Sequence, residues 1–324
     1  MSVQQRHERL RQRAEMLARL RAFFSARGFL EVETPLLDRE IIPELHIEPF
    51  GVGGRAELQD QISSRESTTR RGTGDDATSD APASRWLAAT GGTPGVTHWL
   101  QASPEMHMKR LLAEGLPAIY QVTRSFRCGE RGQIHNPEFT MVEWYRAGDD
   151  MEAGIELLDS LCREVAGAPA AKRTTYGHAF VEHAGIDPYV ASCAELADAA
   201  KRLGVSVPEA IGPDDRDEWL NLLLATVVEP QLGAAGPEIL YDYPASQSAL
   251  ATTIVRPNGI EVAERFELYW RGVELANGYH ELTDAAVLRR RLEAVNEQRA
   301  ADGRPALPLP EQLLAAMENP GLPG

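Results

Sequence analysis

Long apolar runs are missing from this sequence. No segment approaches the roughly 18 consecutive apolar residues that a membrane-crossing helix needs. Residues 1–27 mix arginine and glutamate with scattered apolar positions and hold no apolar core of a secretory leader. Cysteine is scarce as well: Cys128, Cys162 and Cys193 stand far apart, with no C-x-x-C pair. That fits a reducing compartment without structural zinc, so the chain is expected in the cytoplasm, away from membranes. Positive charge is also in deficit, 33 Lys plus Arg against 48 Asp plus Glu, a formal −15. Such a balance excludes a broad phosphate-gripping field for nucleic acid but leaves room for a local arginine cluster.

What is present is enough apolar material, 43% of 324 residues, to bury a large core in one big domain or two smaller ones. Leu10, Ala14, Leu17, Leu20 and Phe24 recur at helical spacing ahead of Gly28, which predicts an amphipathic helix ended by a left-handed residue. Phe29 to Pro35 alternates like a strand, and Leu45 to Phe50 reads as a second one. From residue 51 to residue 97 the composition turns to Gly, Ser, Thr, Asp and Arg with little apolar periodicity, the mark of a mobile polar insertion. Ser103-Pro104-Glu105 then carries the signature of a helix start: a capping hydroxyl, proline at the first helical position and an acid in the first turn.

The chain centres on Arg124 to Tyr145. Arg124 and Arg127 flank Ser-Phe, a turn follows at Gly129 to Gly132, and His135-Asn136-Pro137 leads into a returning strand. Alternation places Phe139, Met141, Glu143 and Tyr145 on one face of that strand. An arginine, an aromatic ring, a carboxylate and a phenol would then line one surface. Beyond Tyr145 mostly helical patterns follow, interrupted by a strand around Ile239 to Tyr243. Residues 264–278 read as two strands joined at Arg271-Gly272. In that register Trp270 pairs with Val273 and Glu267 with Ala276, making Glu267 and Glu274 same-face diagonal neighbours roughly 7–8 Å apart at the backbone. Two carboxylates so placed can share a hard divalent cation, or can simply be solvated acids on a strand face.

Together these segments resemble the catalytic domain of class II aminoacyl-tRNA synthetases, in its lysine branch. Gly28 to Pro35 is similar to the first motif of the class, Phe126-Arg127 through His135-Asn136-Pro137-Glu138-Phe139 to Tyr145 to the second, and Arg265-Phe266-Glu267 with Glu274-x-x-Asn277 to the metal and amino-acid segment. The resemblance implies an α+β fold, a mixed and mostly antiparallel sheet flanked by helices, with residues 1–324 forming a single catalytic domain. The first-motif helix starts at once, leaving no room for an anticodon-binding barrel. That points to the truncated lysyl-tRNA synthetase paralogues that attach lysine or β-lysine to elongation factor P. Ser103-Pro104-Glu105, Pro244-Ala245-Ser246-Gln247 and Gly278 to Asp284 look like that family too.

By the resemblance, ATP and Mg2+ are the cofactors. Arg127 would neutralise the α-phosphate and act in catalysis with Glu267. Cys128, Gly129, Glu130, His135, Asn136, Phe139, Glu267 and Leu268 would line the ATP site, with Phe139 stacked on adenine. Ser103, Pro104, Glu105, Tyr145, Glu274 and Asn277 would surround lysine or β-lysine, and Glu267 with Glu274 would hold the metal. The partners implied are elongation factor P and a second copy of the chain in a homodimer, with no tRNA. Two departures stand out. Cys128-Gly129 follows Arg127 where the tRNA-charging form has Asn-Glu, which moves the adenine contact to Glu130 or to the backbone. The third motif, ending in Gly-x-Asp-Arg, is absent by Gly324, which implies weak or no activation by this polypeptide. Two alternatives therefore accompany the ligase: a noncatalytic or degenerate paralogue that binds nucleotide or partner, and a lysyl-tRNA synthetase.

Overall fold

The computed structural model describes residues 2–53 and 96–323. They divide into two compact units, one made of the chain up to Gly28 with Gly148–Thr283, the other of Phe29–Ala147 with Asp284–Pro323.

The first unit opens with helix α1, Val3–Ser25, started by a capping box in which Gln5 N–H donates to Ser2 Oγ and Ser2 N–H donates to Gln5 Oε1. Only Leu20, Phe23 and Phe24 are buried. Helix α3, Met151–Ala166, has Asp150 as its N-cap and left-handed Gly167 as its stop. A sheet follows in the order β11-β10-β8-β7, with β9 also pairing β10: β7 Lys172–Thr175, β8 Glu238–Pro244, β9 Thr253–Val255, β10 Glu261–Trp270 and β11 Val273–Tyr279. Only β7 and β8 run parallel in it. Helices α4 Tyr176–Ala184, α5 Cys193–Arg202 and α6 Arg216–Leu223 supply Tyr176, Phe180, Leu196, Leu220 and Leu223 to a core completed by Leu240 and Tyr243 from β8.

The β10–β11 hairpin turns at Arg271 (φ +56°) and Gly272 (φ +70°), two positive values that right-twisted two-residue hairpins require. Trp270 pairs with Val273 as expected, but Glu267 pairs with Asn277, not Ala276. The register shifts next to Tyr269, which faces Glu274, while Leu268 faces Ala276, so Leu275 is the extra residue of a bulge. The cause lies further along: Phe266 sits opposite Gly278, where an added Cβ would come within 2.4 Å of the ring, so only glycine fits beneath it. Glu267 and Glu274 keep the same face through the Tyr269–Glu274 pair.

In the second unit, β5 Ala118–Phe126 and β6 Glu138–Arg146 form a long antiparallel pair, with β1 Leu30–Glu31 parallel on the far side of β5. The strand expected over Phe29–Pro35 thus shrinks to two residues. Past it, Val32 N–H still reaches Tyr120 O, Thr34 bonds Gln121 only through side chains, and Pro35 has no donor to continue. The strand expected at Leu45–Phe50 does not form either. Arginine side chains take the carbonyls at its start, Arg299 at Glu44 just before it and Arg304 at Leu45, and Glu48 makes one isolated bridge to Cys128. A small sheet β2-β4-β3 joins Leu37–Asp38, Val96–Leu100 and Gly51–Gly53. Its last two members are the ends of the expected 51–97 insertion, whose remainder lies outside the described residues.

Helix α2, Glu105–Ala113, packs Met108 and Leu112 on Ile119 and Tyr145. Pro104 occupies its N-cap, one place earlier than expected, and Ser103 Oγ accepts the Glu105 N–H at 3.0 Å. Helices α7 Ala285–Ala301 and α8 Glu311–Ala316 complete the unit. Among the described residues no helix is long and apolar enough to cross a membrane.

Candidate active site

The loop from β5 to β6 is pinned at both ends. Arg127 N–H donates to Pro137 O at 2.9 Å, Cys128 N–H to Glu48 O at 2.6 Å, and Gly132 N–H to His135 O at 3.1 Å. Gly129 turns at φ +82°, a value that costs other residues steric strain. Within this frame the Arg127 guanidinium lies 5.1 Å from the centre of the Phe139 ring, with Nη1 3.8 Å from Glu130 Oε1. Its Nε is buried without a hydrogen-bond partner among the described residues. A planar fork of donors beside an aromatic face suits a ligand that carries both a phosphate and a flat ring. His135 and Asn136 are exposed, and Cys128 is half-buried with its thiol pushed up by burial and by the Glu48 charge.

Further down β6 the face becomes acidic. Glu143 receives Ser103 Oγ–H at 2.6 Å on one carboxylate oxygen and Tyr145 O–H at 2.9 Å on the other. Beside it Glu105 accepts from Lys109 Nζ at 2.5 Å, one helical turn along α2. Lys109 is 2% exposed and its Nζ lies 6.0 Å from the Tyr145 ring centre. The Glu143 residue as a whole is half-buried, but its carboxyl end is enclosed by Ser103 and Tyr145. Burial first, and then the neighbouring Glu105 charge, push its pKa up to about 8, against the lowering pull of the Ser103 and Tyr145 hydrogen bonds and of Lys109. A nest with two carboxyl groups and one resident cation is short of positive charge, and an arriving ammonium would supply it.

In the first unit Glu267, 3% exposed, accepts Tyr243 O–H and Tyr269 O–H, each at 2.5 Å, and pairs with Arg265. Burial, followed by the Glu267 charge, holds both phenols far above their ordinary pKa, so they remain donors. Glu274 and Asn277 are exposed on the neighbouring strand, and Asn277 Nδ2 donates to Tyr279 Oη at 2.9 Å.

The family model for class II tRNA synthetases (D, K and N) matches residues 76–317. The chain belongs to the class II tRNA synthetase family. Its similar relatives include two proteins named elongation factor P–(R)-β-lysine ligase, from Edwardsiella ictaluri and from Klebsiella pneumoniae subsp. pneumoniae. Each is 41% identical over 314 residues, which is 97% of this chain and 85% of the relative.

For a class II synthetase domain, the residues expected from sequence fall into two groups. Arg127, Cys128, Gly129, Glu130, His135, Asn136 and Phe139 lie together with Ser103, Pro104, Glu105 and Tyr145 in the second unit, whereas Glu267, Leu268, Glu274 and Asn277 belong to the first. Leu268 is buried, and its side chain is part of the core. Sequence reasoning gave no substrate role to Glu143 or Lys109. The signals were present: Glu143 alternates with Tyr145, and Lys109 stands four residues after Glu105 on a helix.

Proposed function

We propose that this class II synthetase-family chain activates lysine or β-lysine with ATP and transfers it to the ε-amine of a lysine on elongation factor P. The likeness to ligases of that name over 97% of the chain supports the acceptor, and class II chemistry supports ATP. The observation that carries the amino-acid half is the nest of Ser103, Glu105, Glu143 and Tyr145, whose two carboxyl groups suit a doubly aminated substrate.

In this reading the amino-acid carboxylate attacks the α-phosphorus, a P–O bond forms and pyrophosphate leaves with the electron pair of the bond that breaks. Arg127 offers its guanidinium to the negative charge that gathers at phosphorus, and Phe139 stacks on adenine. Glu130 or the loop backbone meets the adenine amino group. Glu105, Glu143 and Tyr145 of the second unit hold the substrate's ammonium groups; Glu274 and Asn277 of the first unit keep the amino-acid role that the family resemblance gives them. Glu267 and Glu274 are the residues that would hold Mg2+, which supplies charge neutralisation at the phosphates. Glu267 is buried and already accepts Tyr243 O–H and Tyr269 O–H and pairs with Arg265, so the exposed Glu274 is the more open of the two carboxylates. The acceptor amine then attacks the acyl carbon; a C–N bond forms, the C–O bond to AMP breaks, and the amine's proton passes to solvent. We place the enzyme in the cytoplasm as a homodimer with a protein acceptor and no tRNA, and read residues 1–324 as one catalytic domain.

Lysine- or β-lysine-dependent exchange of labelled pyrophosphate into ATP tests the first half, and mass gain on elongation factor P the second. Absence of exchange with both isomers overturns the reading.

A further inference from the structure

Beside the amino-acid nest, the second unit has a small cavity of about 30 Å3 that the established residues do not fill. That is room for about two waters, or for the aminomethyl end of a side chain. Its walls come from β2 and the segment after it, from β4 and from the first turn of α2. They include three acids, Asp38, Glu40 and Glu44, together with Trp99, Gln101 and His107. Ser103 and Glu105 also reach it, so the cavity is continuous with the nest.

An acidic lining alone would be a solvated patch, but Gln101 adds an independent observation. It is 8% exposed, and its Nε2 donates to Thr123 Oγ1 at 3.2 Å and to Arg124 O at 2.7 Å. Among the described residues its Oε1 is buried with no hydrogen-bond partner. A buried carbonyl oxygen costs free energy until a donor reaches it. The acids are acceptors too and cannot satisfy that oxygen: Asp38 accepts the N–H groups of Arg39 and Glu40, and Glu40 accepts Gln312 N–H at 3.0 Å. His107 Nε2 lies 3.1 Å from Asp38 Oδ2, yet among the described residues this buried nitrogen makes no well-directed hydrogen bond. Among the described residues Asp38, Glu40, Glu44 and His107 form no converging group of three or more metal-ligand side chains. The occupant that fits is a cation bringing its own donors, small at its tip and slender behind it. A primary alkylammonium has that form.

We propose that this cavity receives the ε-ammonium of the acceptor lysine and holds it next to the aminoacylation site before transfer. The proposal rests on the ligase reading for the identity of the acceptor, and on Gln101 Oε1 with the Asp38, Glu40 and Glu44 carboxylates for the binding chemistry. Such a seat explains how an acidic enzyme can select an amine carried by a protein and still leave Glu105 and Glu143 to the activated amino acid.

The test is the double variant Glu40→Gln/Glu44→Gln, which keeps the acceptor oxygen that meets Gln312 and removes two charges. Pyrophosphate exchange, which needs no acceptor, should stay within about twofold of wild type, with an unchanged KM for the amino acid. The KM for elongation factor P in transfer should rise at least about tenfold, the scale of a lost charged hydrogen bond. Unchanged transfer overturns the proposal, and so does a raised amino-acid KM in exchange, which would assign the cavity to the first substrate. Absence of exchange in the wild type overturns the ligase reading instead. The cavity is then decided by titrating n-butylammonium against the indole N–H resonance of Trp99: a saturable shift in wild type that weakens in the double variant supports the seat, and no saturable shift removes it.

Discussion

Arg299 holds Glu48 by two hydrogen bonds from Nη2, at 3.0 and 3.2 Å, from a position on α7 where the arginine is fully buried. The same guanidinium donates to Glu44 O and Pro305 O, so its charge is shared among four acceptor atoms. Glu48 in turn accepts Cys128 N–H through its main-chain oxygen, one residue from Arg127. A helix far along the sequence thereby sets where the candidate phosphate-binding arginine starts its loop.

Arg299→Met should lower stability by about 3 kcal/mol. That is the lower end of what breaking a buried pair costs, because Glu48 keeps some access to solvent and can rehydrate. Arg299→Lys should recover only part of it, since one ammonium cannot span the carboxylate and both carbonyls. Urea unfolding of the three proteins gives the comparison; equal midpoints would mean that the network contributes nothing.

Arg127→Ala should reduce pyrophosphate exchange by about 10²- to 10³-fold, the usual loss when one donor to developing charge is removed. The amino-acid KM should change little, because Arg127 faces Phe139 and Glu130 and not the acidic end of β6. A variant that exchanged at the wild-type rate would remove Arg127 from the chemistry.

The elements that the sequence made legible are those whose pattern is local. The helix expected ahead of Gly28 forms as α1, and the two positive-φ residues at Arg271-Gly272 turn the β10–β11 hairpin. The alternation of Phe139 to Tyr145 survives intact because β5 and β6 pair without a shift over nine residues. What escaped is set by distant partners. The absent strand at 45–50 depends on Arg299 and Arg304, some 255 residues away, and the Leu275 bulge depends on the Phe266 ring over Gly278. Glu143 was visible as a position but not as a function, since nothing in the order of residues brings Ser103 to it.

Glu274→Gln should raise the Mg2+ concentration that half-saturates exchange by about tenfold, as expected when one of two carboxylates is lost from a hard-cation site. The fold should be unaffected, because Glu274 is exposed opposite Tyr269 next to the bulge. Exchange assayed across a Mg2+ series reads the shift, and an unchanged requirement would leave Glu274 outside the metal site.

Glu143 gives the chain a pH dependence with a definite sign. Its folded pKa of about 8 lies above the ordinary carboxyl value of 4.5, so between the two the folded state binds more protons than the unfolded state. Stability from this group is therefore complete below about pH 4.5 and is lost as pH rises through about 8. Glu143→Gln, which cannot ionise, should flatten that slope, so that wild type and variant diverge between pH 5 and pH 9 in parallel urea titrations. Lysine binding should act on the same proton. A cation entering the nest favours the ionised carboxylate, so wild type should release close to one proton per lysine bound near pH 7. Calorimetry in buffers of different ionisation enthalpy measures that release directly. Glu143→Gln should bind lysine more weakly and release almost none, whereas release of equal size from both proteins would assign the proton to another group.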